Sequence, residues 1–193
     1  MPLHNRVDPW GDIHDVPARG TFTGNRGCLV DEGGEVVRHH AGNLWIICQL
    51  SYRDWRHPLN APRRWTPLFF LDDAVGLAAG HRPCGLCRRD DYLSYQAALA
   101  GSPSAQAMNR RLAAERGRTW TTEIETLPNG SVIELPARVA AVVLTDRLQA
   151  FTFAGWTVPR KRPPRGKVEV LTPPTSIAAL SGGFVPKLHP SAH

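Results

Sequence analysis

The first half of the chain alternates short apolar runs with turn residues. Residues 44–52 alternate on the period of a strand, and a second apolar run covers residues 68–71. One face of the first strand carries Leu44, Ile46, Cys48, Leu50 and Tyr52. This phase predicts that Cys48 faces the core. Frequent glycines over residues 1–43 predict irregular hairpins before it.

A helical centre follows these strands. Asp72 is a predicted N-cap for a helix through residue 79, because Gly80 can end it. Residues 88–100 place apolar side chains three to four positions apart, which predicts a second helix. Ser102 and Pro103 predict the start of a third helix that ends near Gly117.

From Trp120 onward the pattern favours β-structure. The candidate strands are residues 123–127, 132–135, 139–145, 149–153 and 167–171. They predict a small antiparallel sheet or half-barrel. The fold class is therefore α+β, a single domain with a central helical segment and a β-rich C-terminal part. We expect residues 1–119 and 120–193 to pack as one domain.

The composition narrows the class of protein. A chain of 193 residues can build one sizeable core without a staple. No segment approaches the roughly 18 apolar residues that span a bilayer, so we expect no membrane partner. Four cysteines are too few for a disulfide framework, and this favours a cytoplasmic protein.

The formal charge of +6 comes from the second half of the chain. Residues 1–97 hold 11 basic and 11 acidic residues, whereas residues 98–193 hold 12 and 6. The densest basic segment contains Arg160, Lys161, Arg162, Arg165 and Lys167 among prolines. An exposed basic loop of this kind can bind the phosphates of a nucleic acid. A solvated linker is the alternative.

The pair Cys84 and Cys87 forms a CxxC turn, which is the strongest chemical signal in the chain. Such a turn directs two thiolates at one tetrahedral ion, and zinc is the ion that we expect. The remaining cysteines, Cys28 and Cys48, are the leading candidates for the third and fourth ligands. With both, the metal site would be structural and closed.

Other assignments of the metal ligands are open. His81 is the leading alternative, followed by His57, His39 and His40. A redox dithiol would also use CxxC, but no βαβ pattern surrounds the pair. If the site is open, His4 or His81 could act as general acid or base.

Aromatic and basic residues alternate in the segment between Trp45 and Trp65. It contains Tyr52 and Trp55 together with Arg53, Arg56, Arg63 and Arg64. Aromatic side chains that stack on bases and arginines that hold phosphates favour a single-strand binding surface. A core with a charged rim explains the same residues, since tryptophans are usually buried.

Residues 69–87, FFLDDAVGLAAGHRPCGLC, resemble the second half of the metal-binding domain of Ada-type methylphosphotriester-repair proteins. The resemblance implies that Cys84 and Cys87 bind zinc and that the protein acts on DNA. In that family a cysteine of a closely spaced first pair accepts a methyl group. Here Cys28 and Cys48 are 20 positions apart, and His81 replaces an aromatic residue. The methyl-acceptor role is therefore not carried over.

Three functions are consistent with these patterns. The favoured one is a zinc-binding protein that associates with nucleic acid, DNA in particular, in repair or processing. The first alternative is a metal-dependent hydrolase or nuclease with an open metal site. The second alternative is a zinc-stabilised scaffold that binds another protein.

Overall fold

The computed structural model describes residues 3–53 and 63–193, and it contains both helices and sheets, which confirms the α+β class. Four helices are described: α1 (Asp73–Ala78), α2 (Arg89–Ala97), α3 (Ala105–Glu115) and α4 (Pro174–Ser181). The strands of the first half are β1 (Arg6–Val7), β2 (Ile13–His14), β3 (Phe22–Asn25), β4 (Ile46–Cys48), β5 (Leu68–Phe70) and β6 (Arg82–Pro83). Those of the second half are β7 (Trp120–Glu123), β8 (Val132–Leu135), β9 (Val139–Val143), β10 (Arg147–Thr152), β11 (Gly155–Trp156), β12 (Arg160–Lys161) and β13 (Lys167–Val170).

The N-terminal sheet is mixed, with strand order β2-β1-β5-β3-β4-β6. Two of its pairs are parallel, β1 with β5 and β4 with β6. The second of these pairs aligns Ile46 with Arg82 and Ile47 with Pro83. This register matters for function because both strands lead directly into cysteines.

The C-terminal sheet is antiparallel, as the sequence predicts, and its order is β11-β10-β9-β8-β13-β7 with β12 beside β10. Its first strand differs from the prediction. Strand β7 covers 120–123, and residues 124–126, expected to continue a strand, form a 3-10 helix. The turn buries Ile124 in a small cluster on one face of the sheet.

The helices lie close to their predicted positions. Asp72 caps α1 by accepting a hydrogen bond from the backbone N–H of Val75, and Gly80 follows with φ +79°. Helix α3 begins later than predicted, because Ser104 and not Ser102 caps it. No helix in the described ranges has the length and apolar character needed to cross a membrane.

The main core lies between the helices and both sheets. Ile47, Leu68 and Phe70 reach it from the N-terminal sheet, and Val132 and Val142 reach it from the C-terminal sheet. Because the core takes the inner face of the N-terminal sheet, the other face of β3, β4 and β5 is left for the site described next.

Candidate metal centre and its cavity

Three cysteines converge where β4 and β6 end. The sulfur atoms of Cys48, Cys84 and Cys87 all lie within 4.8 Å of one another. Cys48 is the last residue of β4, and Cys84 directly follows β6. The backbone N–H of Cys84 donates to the Ile47 carbonyl at 2.9 Å, which fixes the two strands side by side. The parallel pairing thus brings together cysteines that lie 36 positions apart in the sequence.

Two backbone N–H groups direct their partial positive charge at the sulfur atoms. The N–H of Leu86 donates to Cys84 Sγ, and the N–H of Gln49 donates to Cys87 Sγ, each at 3.4 Å. Helix α2 begins two residues after Cys87, so its N-terminal dipole lies beside the turn. These features stabilise thiolates.

Hydrogen bonds among the three sulfurs favour a thiolate at Cys84. The pKa of Cys84 lies well below its usual range because the thiols of Cys48 and Cys87 donate hydrogen bonds to its sulfur. The pKa of Cys48 is raised, since its thiol donates to Cys84 and Cys87 and is desolvated. Three thiolates this close repel one another strongly, and a divalent cation is the charge that allows all three to ionise.

The donor set fits zinc. Thiolate sulfur is a soft ligand that zinc prefers, and the CxxC turn is its common source. Three protein ligands account for three of four tetrahedral positions. The geometry supports a three-cysteine centre, while the fourth ligand is not among the clustered residues that the structure describes.

Cys28 does not join this cluster, so the four-cysteine ligand set predicted from the sequence is not formed. Its thiol is directed at the Val30 carbonyl at 3.6 Å, within its own turn. Cys28 lies three residues after the end of β3, and that strand pairs antiparallel to β4. Cys28 therefore lies beyond the N-terminal end of β4, whereas Cys48 lies at its C-terminal end.

His81 is also absent from the cluster, which corrects its role as the alternative ligand. It is fully buried, and its ring contacts Phe70 and Trp45 at centroid distances of 4.6 and 5.0 Å. Burial and the charges of Arg26 and Arg116 hold its pKa well below the usual range. A sealed, neutral imidazole cannot act on a substrate, so the predicted acid–base role for His81 is withdrawn.

The remaining histidines lie elsewhere. His39 interacts with the Gly11 carbonyl at 2.8 Å and with Arg26, and His40 packs beside Trp45. His4 is exposed and does not line the cavity, and His57 lies outside the described residues. None of the described histidines joins the three cysteines as a candidate metal ligand.

A cavity of about 560 Å³ lies over the cysteines. The sheet face beneath it carries Thr23 and Asn25 from β3, Ile46 and Cys48 from β4, and Phe69 from β5. The walls include Gln49, Leu50, Ser51, Tyr52, Trp65, Pro67 and Leu86. The three sulfurs are therefore accessible to a ligand in this space.

The cavity reverses the predicted facing of β4. Trp45 and Ile47 are buried in the protein, whereas Leu44 and Leu50 are about half exposed, at 50% and 56%. Both faces of this strand are apolar, so alternation alone cannot tell which face the core covers. Cys48 faces the cavity rather than the core, and this facing makes it available as a ligand.

The basic segment divides into two kinds of side chain. Arg160, Lys161, Arg165 and Lys167 are exposed and make no ion pair among the described residues. Arg162 differs because its guanidinium donates to the carbonyls of Ile124, Leu127 and Leu144. It fastens this part of the segment to the C-terminal sheet and is not free to bind phosphate, in contrast to the prediction. The segment is also not one extended loop, because Arg160 and Lys161 form β12 and Lys167 begins β13.

The second predicted basic group lies beside the cavity. Arg53 and Arg64 are exposed and adjoin the lining residues Tyr52 and Trp65 in sequence. Arg63 is also exposed and pairs with Glu32 at 3.1 Å. Arg56 lies outside the described residues.

Sequence reasoning missed the polar lining of the cavity. Thr23 pairs directly with Cys48 across β3 and β4, and Asn25 pairs with Ile46. The only early signal was the polar alternation in the short segment that forms β3. It became meaningful only once its pairing with β4 was known.

Comparison with protein-family models, curated proteins and solved structures found no match for this chain. The resemblance of residues 69–87 to the Ada-type domain therefore stays a prediction.

Proposed function

We propose that the protein binds zinc through Cys48, Cys84 and Cys87 and associates with nucleic acid, DNA in particular, in repair or processing. The observation that carries the proposal is the convergence of these three sulfurs beneath an accessible cavity. The local similarity to Ada-type repair proteins favours DNA over other polyanions.

The chemistry of the cysteines supports the metal and a reducing compartment. Three unpaired thiols at this spacing would readily oxidise outside the cell, whereas bound zinc protects them. We accordingly propose a cytoplasmic location.

The distribution of charge supports the nucleic acid. Arg160, Lys161, Arg165 and Lys167 are exposed and have no acidic partner within residues 3–53 and 63–193, and Arg53 and Arg64 add cations next to the cavity. Unpaired arginines and lysines bind phosphates and release counterions, so the affinity should fall steeply with salt.

Metal analysis of purified variants tests the zinc site. We expect about one zinc per chain in the native protein, and loss of most of it in Cys48→Ser, Cys84→Ser and Cys87→Ser. Cys28→Ser is the matched control, since Cys28 lies outside the cluster, and it should retain the metal. Full retention in all four variants would refute the ligand set.

Salt-dependent DNA binding tests the basic surface. The double variant Arg160→Glu/Lys161→Glu should weaken binding and flatten the dependence of log affinity on log salt. Arg110→Glu/Arg111→Glu makes the same charge change on the exposed face of α3 and serves as the control. Equal slopes for the two double variants would remove the basic loop from the nucleic-acid surface.

A metal-dependent hydrolase or nuclease is the second candidate, because a centre with three protein ligands resembles catalytic rather than structural zinc sites. The described lining of the cavity contains no carboxylate or imidazole to accept a proton. Hydrolysis of a labelled single strand that is abolished by a chelator and by Cys84→Ser, but not by Cys28→Ser, would establish this function.

A further inference from the structure

Apart from the three cysteines, the described lining of the cavity is uncharged. None of the lining residues in the described part of the chain is acidic, basic or a histidine. Three of them are aromatic, Tyr52, Trp65 and Phe69, and Ile46, Leu50 and Leu86 add apolar surface. A volume of about 560 Å³ lies in the range of small-ligand pockets. Such a lining favours a neutral, flat and largely apolar group.

The same cavity offers directional polar contacts. The side-chain amide of Gln49 and the hydroxyl of Ser51 make no hydrogen bonds among the described residues, although the Gln49 backbone N–H is used by Cys87. Asn25 accepts a hydrogen bond from the N–H of Gly27 through Oδ1 at 3.3 Å, which leaves its NH₂ group available. Amides that both donate and accept can recognise the edge of a heterocyclic base.

The cations lie at the edge of the cavity instead. The guanidinium of Arg53 lies 5.2 Å from the ring centroid of Tyr52, and Arg64 precedes Trp65. Neither arginine makes an ion pair within the described ranges, and Arg63 is the member of the group that already has a carboxylate partner. A wall of aromatic and amide side chains above the cysteines, bordered by exposed guanidiniums, matches a nucleotide within a strand, whose base is neutral and whose phosphates are charged.

We propose that the cavity holds one unpaired base of a single-stranded nucleic acid, while Arg53 and Arg64 bind the flanking phosphates. This inference rests on the proposed association with nucleic acid and assigns it a site. The base stacks on the aromatic wall, its edge faces Asn25 and Gln49, and it lies above the three cysteines.

Two short oligodeoxythymidylates test the insertion of a base, one with a central 2-aminopurine and one with an abasic site at that position. The native zinc-loaded protein should bind the first about tenfold or more tightly, the scale of one base–aromatic stack, and should change its 2-aminopurine fluorescence. Equal affinities would overturn base insertion and leave nucleic-acid binding intact. If neither oligomer binds, the nucleic-acid part of the proposed function fails as well, whereas the zinc content tests the metal separately.

The free 2-aminopurine nucleoside separates base recognition from strand recognition. Because it lacks phosphates for Arg53 and Arg64, it should bind at least tenfold more weakly than the oligomer. Equal binding of nucleoside and oligomer would overturn the role of the two arginines. In Arg53→Gln/Arg64→Gln, the salt dependence should fall by about 0.7 per lost phosphate contact for both oligomers.

Variants of the cavity wall test the site, and a variant outside the cavity serves as their control. Tyr52→Leu and Gln49→Ala should reduce the preference for the base-containing oligomer over the abasic one by about fivefold or more, with zinc retained. Leu50→Ala, at the half-exposed rim, is a third wall variant with the same expected effect, and Leu93→Ala changes a similarly exposed leucine on α2 outside the cavity. Leu93→Ala should keep the full preference. A full preference in all three wall variants would overturn the proposed site.

Discussion

At the scale of single residues, His81 is a buried polar side chain three residues before the CxxC turn of Cys84 and Cys87. It is fully buried, and its Nε2 atom accepts a hydrogen bond from Arg26 Nε at 3.2 Å. Arg26 itself stacks on Trp45 at 4.0 Å, and burial together with Arg116 lowers its pKa to about 9. Arg26, Arg116 and neutral His81 thus all contact Trp45. Protonation of His81 would add a third positive charge to this group, which is costly.

His81 should make the protein less stable in acid. Its folded-state pKa lies well below the usual value of about 6.5, so the unfolded chain takes up a proton that the folded chain does not. Stability is then fully present above that value and falls as the pH drops below it. The slope approaches about 1.4 kcal/mol per pH unit.

Urea unfolding between about pH 7 and 5 measures this effect. His81→Gln keeps an acceptor for Arg26 but cannot take up the proton, so its free energy of unfolding should change less over this range. His4→Gln replaces an exposed histidine and should follow the native protein. An identical pH dependence in His81→Gln and the native protein would contradict the account.

Single residues also show how far the sequence predicts the site. The CxxC turn predicts two candidate ligands, Cys84 and Cys87, through local spacing alone. Cys48 and Cys28 look equivalent in the sequence, because choosing between them requires the strand pairing that places only Cys48 beside the turn. The sequence of β4 does not show which of its faces is buried either, because both faces are apolar and only the strand pairing decides which one the core covers.

At the scale of elements, Arg88, which directly follows the CxxC turn, anchors that turn to the helices. Arg88 is buried and donates two hydrogen bonds to the Asp73 carboxylate of α1, at 2.5 and 2.8 Å. Its Nε atom donates to Asp91 in α2 at 2.8 Å. The turn is thereby tied to two helices.

Replacing Arg88 should destabilise the protein strongly. Arg88→Met leaves the Asp73 carboxylate buried without its guanidinium, which costs about 3–5 kcal/mol of unfolding free energy. Arg89→Met changes the exposed neighbour and should cost less than about 0.5 kcal/mol. Urea unfolding of both variants measures the difference, and similar losses would show that the buried pair does not anchor the turn.

The helices were the most predictable elements. Caps and apolar spacing placed α1 and α2 within a few residues, because these signals are local. The start of α3 was misplaced because Ser102 and Ser104 both resemble caps, and only Ser104 accepts the hydrogen bond from the N–H of Ala107. Strand β7 was shifted because residues 124–126 carry strand-like residues but turn to bury Ile124.

At the scale of the whole molecule, the C-terminal sheet contacts the part of the protein that carries the cysteine cluster at specific points. Trp156 Nε1 donates to the Asp72 carboxyl at 2.7 Å, and the N–H of His189 donates to the same oxygen at 2.9 Å. Trp10 Nε1 donates to Glu134 at 2.6 Å. Since Asp72 also caps α1, the two regions share a buried junction.

This junction predicts cooperative unfolding. Trp156→Phe removes one hydrogen bond to a buried carboxyl and should lower the free energy of unfolding by about 1–3 kcal/mol. Trp120→Phe loses a bond to the neutral Thr172 carbonyl within the C-terminal region, which should cost about 0.5–1.5 kcal/mol. Circular dichroism and loss of zinc should report the same urea midpoint in each variant. Separate midpoints would show that the two regions unfold independently.

The overall topology lies beyond what the sequence predicts. The antiparallel C-terminal sheet follows from neighbouring strands and turns, as in β8 with β9 and β9 with β10. The parallel pairs β1–β5 and β4–β6 join strands that are distant in sequence, and no local pattern encodes them. The β4–β6 pair places Cys84, Leu86 and Cys87 beside Cys48 in the cavity lining.

The most direct test of the account is X-ray absorption at the zinc edge of the purified, metal-loaded protein. The spectrum should contain three sulfur ligands at about 2.3 Å and one lighter nitrogen or oxygen ligand near 2.0 Å. Cys28→Ser should give the same spectrum. Four sulfur ligands in the native protein, reduced to three in Cys28→Ser, would contradict the three-cysteine centre.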